Sequence, residues 1–269
     1  MLGFDGGKLS EEERHSKFAV VEPELLKEGR PEVSVENVPK AYLPPFLDYY
    51  SCVNDLINSD HVVLELGIGT GRHTKPLLQS GAKIIGIDID ESALKVCRIR
   101  GFDIELIQCS MESIALPDSS IDIVVSCASL SYGVAEIVNS EIFRILKLNG
   151  TLILLDTLNE NPVYRINRFL DFLLGRRTKK TLKNMPDLSR LDSLTKMFKS
   201  SQTNFYGSYL WLYKLMCVFR LPKFGTACNS FFEERFPSKK NAFKFVFVGK
   251  GLVSHVEVRD SRVRDTQKS

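Results

Sequence analysis

The chain has 269 residues, room for one large domain or two small ones at roughly 100–200 residues each. With 43% hydrophobic and 26% charged residues it has an ordinary globular composition, which excludes a largely disordered, collagen-like or many-span membrane chain. The formal net charge is +3, from 36 Lys+Arg against 33 Asp+Glu, and argues against a protein whose main task is coating nucleic acid.

The elements follow in chain order. The first forty residues are charged, with prolines at 23, 31 and 39, and carry a predicted helix over 11–21. Residues 1–14 are polar and acidic and lack the apolar core of a secretory signal, so a cytoplasmic location is expected. A second helix is predicted over 42–57, following Pro44 and Pro45 and stopping at 58–60. From 61 the pattern changes to short β-branched runs at 61–66, 84–88, 104–108, 121–126 and 150–156. Stretches of helical periodicity at 72–80, 91–100 and 134–147 lie between most of them. Such alternation predicts βαβ units, a mostly parallel sheet and helices on both faces. After 156 the alternation breaks. Helices are predicted over 165–174 and 192–199, and 205–221 is strongly aromatic. That stretch is at the short limit for a membrane span and has Lys214 in mid-run. It is read as a core or capping helix, with an interfacial membrane contact as the second reading. A late strand is predicted over 242–248 and a frayed tail over 256–269.

The six cysteines form no C-x-x-C pair, and the four histidines never sit at metal-ligand spacing with them. Free thiols in a reducing compartment are expected, with no metal site.

The strongest chemical signal is ELGIGTGR at 65–72, where a strand gives way to a glycine-rich turn and then a helix. Glycines there let the backbone turn tightly and approach a ligand closely. The spacing is G-x-G-x-G with Arg72 at the sixth position, unlike the dinucleotide fingerprint G-x-G-x-x-G, and the phosphate-loop motif is absent. Glu65, beside the turn, suits a cationic ligand better than a pyrophosphate. Asp88 ends the second strand, 21 residues after Gly67, where a carboxylate can accept both ribose hydroxyl protons. A ribosylated ligand without phosphates follows.

These residues resemble the class I S-adenosylmethionine-dependent methyltransferases. The resemblance rests on ELGIGTG at 65–71 and GIDID at 86–90, and continues through 110–122 and 143–152, covering roughly residues 60–157. It implies a Rossmann-like, seven-stranded, mostly parallel sheet with S-adenosylmethionine as cofactor. Gly67, Gly69 and Gly71 would form the cofactor turn, and Glu65 would lie near the methionine moiety. Asp88 would hold the ribose and Ile89 would lie against the adenine. Ser110 stands where the family often has an aspartate for the adenine amino group. Met111 would offer its backbone amide to the adenine ring, and Ser126 a backbone carbonyl to the methionine amine.

An acceptor should arrive at the carboxyl ends of strands four and five. The candidates there are Ser129, Tyr132, Asp156, Asn159, Glu160 and Asn161, with Asp156 the expected base. Residues 158–168 also resemble a segment of methyltransferases from bacterial polysaccharide and other glycan-type gene clusters. That implies a sugar or glycan hydroxyl as acceptor, with Arg165, Arg168, Arg176 and Arg177 as phosphate ligands. The expected organisation is an N-terminal helical cap (1–60), a cofactor-binding core (61–156), an acceptor-side insertion or lid after strand five (157–235), and a final strand with a charged tail (236–269). Three rivals stay open: a nicotinamide-dependent oxidoreductase, a non-catalytic module of the same fold, and a methyltransferase acting on protein or RNA.

Overall fold

A computed structural model of the chain describes residues 39–253. The helix predicted over 11–21 and the tail at 256–269 lie outside them. Seven strands form one sheet: β1 (Val62–Leu66), β2 (Lys83–Asp88), β3 (Glu105–Gln108), β4 (Ile121–Cys127), β5 (Leu146–Thr157), β6 (Phe198–Tyr206) and β7 (Lys244–Leu252). Their order is β3-β2-β1-β4-β5-β7-β6. The first five are parallel, and β7 runs antiparallel to both β5 and β6. The order reverses between β1 and β4, which opens a crevice at the carboxyl ends of those strands.

The two faces of the sheet are covered as its period-2 alternation requires. On β4, Ile123 and Val125 face one side and Val124 the other. The first side packs against helix α1 (Pro44–Leu56) and the short α2 (Lys75–Leu78) through Tyr49, Val53 and Leu77. Prolines at the start of α1 lack only N–H groups that a helix start leaves unbonded anyway. Tyr49 and Val53 are one turn apart and fully buried, worth about 1.5–3 kcal/mol each in removed apolar surface. The other side packs against α4 (Ala135–Ile145) and α7 (Leu188–Thr195) through Val138, Ile142, Leu191 and Leu194. Helix α3 (Glu91–Ile99) starts at Asp90, whose carboxylate accepts from Ser92 N at 2.8 Å. The expected cap at 1–60 is therefore, in its described part, a packing layer of the sheet.

The segment expected as one insertion over 157–235 is two excursions separated by a sheet strand. Between β5 and β6 lie α5 (Pro162–Leu173), α6 (Lys179–Lys183) and α7; between β6 and β7 lie α8 (Leu210–Val218) and α9 (Pro222–Arg235). Strand β6 falls where a helix was expected to run to 199 and an aromatic helix to begin at 205. It is an edge strand whose residues 199–202 are all exposed and whose Phe198 alone is buried. The apolar alternation that marks a strand is missing because water, not a second neighbour, lies beyond it.

Candidate active site

A cavity of about 720 Å³ opens at the carboxyl ends of β1, β2 and β4. Its floor is the turn after β1. Gly67 and Gly69 have φ of 69° and 55°, a region that L side chains rarely adopt. At Gly67 a Cβ would also lie 2.5 Å from Ser129 Cβ. Ser129 fixes that approach: its hydroxyl donates to Leu66 O at 2.8 Å and lies 2.6 Å from Ser126 Oγ. Asp88 stands opposite the turn. Its Oδ2 accepts from Gly69 N at 2.8 Å and its Oδ1 from Asp90 N at 3.0 Å, so the carboxylate is aimed by backbone and keeps acceptor capacity for a ligand. Ile89, at 55% exposure, forms an apolar rim beside it.

Glu65 is buried at 3% exposure and also lines the cavity. Its Oε2 accepts from Thr74 Oγ1 at 2.6 Å, yet burial pushes its carboxyl up to about 7. His73 lines the cavity as well; its Nδ1 is 2.7 Å from the Tyr50 hydroxyl and its ring stacks on Phe46 at 5.8 Å between centroids. Burial, with Lys244 and Arg72 adding, pulls the imidazole down to about 4 and holds it neutral. Tyr132, Thr178 and Lys180 also line the cavity. Lys180 Nζ lies 3.5 Å from Glu112 Oε1, which links α6 to the loop after β3.

Residues 64–154 match the family model described as a methyltransferase domain. This segment is similar to methyltransferase domains. An uncharacterized methyltransferase-like protein of Schizosaccharomyces pombe is 33% identical over 122 residues, covering 45% of this chain and 47% of that protein. The chain thus spans about half the length of that relative. Among solved structures, a [4+2]-cyclase aligns with TM-score 0.57 at 17% identity, over 91% of this chain and 97% of its own. The phosphoethanolamine N-methyltransferase 2 of Haemonchus contortus, solved with S-adenosyl-L-methionine, aligns with TM-score 0.56 at 13% identity, over 80% of this chain and 55% of its own. At such identities the structures speak for the fold.

The Haemonchus contortus neighbour holds S-adenosyl-L-methionine, and the residues present in this chain fit that group. The space above Gly67 and Gly69, the aimed carboxylate of Asp88 and the uncovered Ile89 form a cradle for a ribosylated, cationic ligand. Ser110 and Met111 line the same cavity, and the Ser110 hydroxyl already accepts from Glu112 N at 3.1 Å. Gly71 (φ 78°) turns the chain beneath the cavity, where a Cβ would meet Cys97 Sγ at 2.8 Å. Ser126 lies under the floor, buried and bonded to Ser129.

The expected acceptor-side residues lie differently from expectation. Asp156 is 1% exposed and forms no part of the cavity wall. Its Oδ2 accepts from Leu130 N at 3.0 Å and its Oδ1 from Thr157 N at 2.6 Å, so it braces the turn at 130–132. Asn161 caps α5 by accepting from Val163 N, and donates to Asn241 O. Arg168 is buried, donating to Leu158 O and Asn159 Oδ1, and burial lowers its guanidinium to about 10. Asn159 is thereby engaged with Arg168, Glu160 accepts from Leu188 N, and Arg165 is exposed on α5. Of the expected acceptor residues, Ser129 and Tyr132 reach the cavity wall. His73 and Lys180 reach it as well. His73 stands two residues after Gly71 of the motif, while Lys180 is one of seven basic side chains between 165 and 183 with nothing local to single it out.

Glu65 gives this site a pH signature. Its folded pKa of about 7 exceeds the unfolded value of 4.5, so its contribution to stability is fully present below 4.5 and is lost as pH rises through 7. The loss amounts to ~3 kcal/mol at 1.36 kcal/mol per pH unit. Urea denaturation of the parent and of Glu65→Gln is expected to show the parent losing stability relative to the variant across that window. A constant difference from pH 4 to 8 would exclude this linkage.

Proposed function

We propose that the protein transfers a methyl group from S-adenosylmethionine to a hydroxyl of a small acceptor of the sugar or glycan class. The observation that carries the cofactor half is the Gly67–Gly69 backbone facing the Asp88 carboxylate across one cavity. The acceptor half is supported by the rest of the cavity lining, where His73, Tyr132, Thr178 and Lys180 offer polar and cationic groups to an oxygen-rich molecule. When bound, the cofactor supplies an electrophilic methyl group on a sulfonium sulfur. Asp88 accepts the ribose hydroxyls, Ile89 covers the adenine, and Glu65 places negative charge beside the methionine moiety.

His73 replaces Asp156 as the base in this reading. In the tautomer this role requires, Nδ1–H donates to the Tyr50 oxygen, and Nε2 then accepts the hydrogen bond and the proton of the acceptor hydroxyl. An imidazole held near 4 is a weak base, so its share lies at the low end of general-base effects, about 10²-fold. Tyr132 and Lys180 orient the acceptor.

Calorimetric titration with S-adenosylhomocysteine, with NADH run beside it, tests the cofactor half. Binding of the first alone is expected, weakened ~10–150-fold in Asp88→Ala for the loss of a charge-assisted bond worth about 1.5–3 kcal/mol. Binding of NADH alone, or unchanged affinity in the variant, would overturn it. A screen of sugar and glycan acceptors with labelled S-adenosylmethionine tests the other half.

A further inference from the structure

Helix α5 is turned inside out relative to its sequence. Its buried side chains are Tyr164 and Arg168. Its exposed ones include Val163, Ile166, Phe169, Leu170 and Leu173, which fall within about 120° of arc at 3.6 residues per turn. A helix in a globular protein normally buries such a stripe. Helix α8 repeats the pattern: Leu210 is buried, while Trp211, Leu215 and Val218 face outward, Val218 at 78% exposure. On α9, Phe224 and Phe231 share one exposed side. The three helices are joined. Tyr164 donates to Gly207 O at 2.8 Å and accepts from Trp211 N at 3.1 Å. Helices α8 and α9 pack closely where Gly225 meets Tyr213 and Met216. Of 19 exposed large hydrophobic side chains among the described residues, 14 lie between 163 and 236. That concentration exceeds the scattered apolar exposure usual on a monomer.

The charge of the same segments says what covers them. Residues 162–183 and 209–240 together carry 13 basic and three acidic side chains, while the rest of the chain carries 23 basic and 30 acidic. An apolar face flanked by Lys and Arg, with aromatic side chains at its border, is the pattern of a helix lying in a lipid headgroup region. Nucleic acid would match the charge but leave the apolar stripes in water. No helix among the described residues is long and apolar enough to cross a membrane.

We propose that α5, α8 and α9 form a face that docks on an anionic membrane surface, with the apolar stripes in the interface and the basic side chains against lipid headgroups. Thr178 and Lys180 of the cavity lining follow α5 closely in the chain, so docking brings that side of the cavity towards the lipid surface. Resting on the methyl-transfer reading above, that placement selects an acceptor linked to a lipid.

Trp211 is the chain's single tryptophan and sits on this face, which makes it a built-in reporter. Titration with vesicles containing phosphatidylglycerol is expected to shift its emission to the blue, with binding that weakens as salt is added. Neutral phosphatidylcholine vesicles are expected to bind at least about tenfold more weakly. Ile166→Glu combined with Val218→Glu is expected to reduce binding at least about tenfold, with the circular dichroism spectrum and S-adenosylhomocysteine affinity of the parent. That last measurement separates failure of the docking face from failure of the cofactor assignment. Absence of vesicle binding would overturn the proposal. So would equal binding to neutral and anionic vesicles, vesicle binding unchanged in the double variant, or a Trp211 shift that follows protein concentration in lipid-free buffer, which would assign the face to a second copy of the chain.

Discussion

Gly67→Ala is expected to abolish measurable binding of S-adenosylhomocysteine, at least about a hundredfold loss, and to lower unfolding stability by about 2–5 kcal/mol. Two costs combine. A non-glycine residue at φ 69° carries about 1–3 kcal/mol of backbone strain. The added methyl would sit 2.5 Å from Ser129 Cβ and 2.8 Å from its Oγ, an overlap of the kind that costs about 1–3 kcal/mol in a packed interior. Ser129 cannot yield freely, because its hydroxyl holds Leu66 O and Ser126 Oγ. The turn must therefore shift, and the turn is the surface on which the cofactor lies. Gly101→Ala is the control. Gly101 has nearly the same φ, 70°, but a Cβ there meets nothing within 4 Å. It should cost the backbone strain alone and leave binding intact. Equal losses in the two variants would mean that strain, rather than closeness to Ser129, governs the turn.

The parts of this architecture that were legible in the sequence are those where one physical demand dominates a whole segment. Strands β1, β2 and β4 are covered on both faces, so nearly every side chain must be apolar, and runs such as 61–66 and 121–126 stand out. The turn at 67–71 is legible because three of its five residues take positive φ and all three are glycine. Asp88 is legible because the end of β2 faces the crevice whatever the loops do. What was not legible depends on contacts between distant segments. Strand β6 has one neighbour and an exposed outer edge, so its composition is that of a loop. Arg168 would be a phosphate ligand by the resemblance of 158–168; only its place on the buried side of α5, bonded to Leu158 O and Asn159 Oδ1, shows it locking the helix to the chain. His73 became a wall of the cavity because α1, more than 20 residues earlier, delivers Phe46 and Tyr50 to its ring.

The same limit explains Asp156, and an experiment on it and His73 divides bracing from chemistry. Asp156→Ala is expected to lower unfolding stability by about 2–5 kcal/mol. The buried N–H of Leu130 and the part-buried N–H of Thr157 lose their acceptor, and a buried group so orphaned costs about 1–3 kcal/mol. Burial raises the Asp156 carboxyl above its ordinary range, so removing the charge returns part of its desolvation cost. Against that, Lys244 and Arg190 lose a neighbouring negative charge, and Arg190 also holds the braced turn through Leu130 O at 3.0 Å. The turn at 130–132 leads into Tyr132 of the cavity lining, so ligand affinity falls with stability. His73→Phe should behave oppositely. A ring of similar shape keeps the stack on Phe46 but loses the hydrogen bond to Tyr50, so stability falls by no more than about 1–3 kcal/mol and S-adenosylhomocysteine affinity stays near that of the parent, while turnover drops about 10²-fold. Urea denaturation, calorimetry and labelled methyl transfer on both variants make the comparison. An Asp156→Ala protein that is stable yet inactive, beside an active His73→Phe, would restore the base to the end of β5.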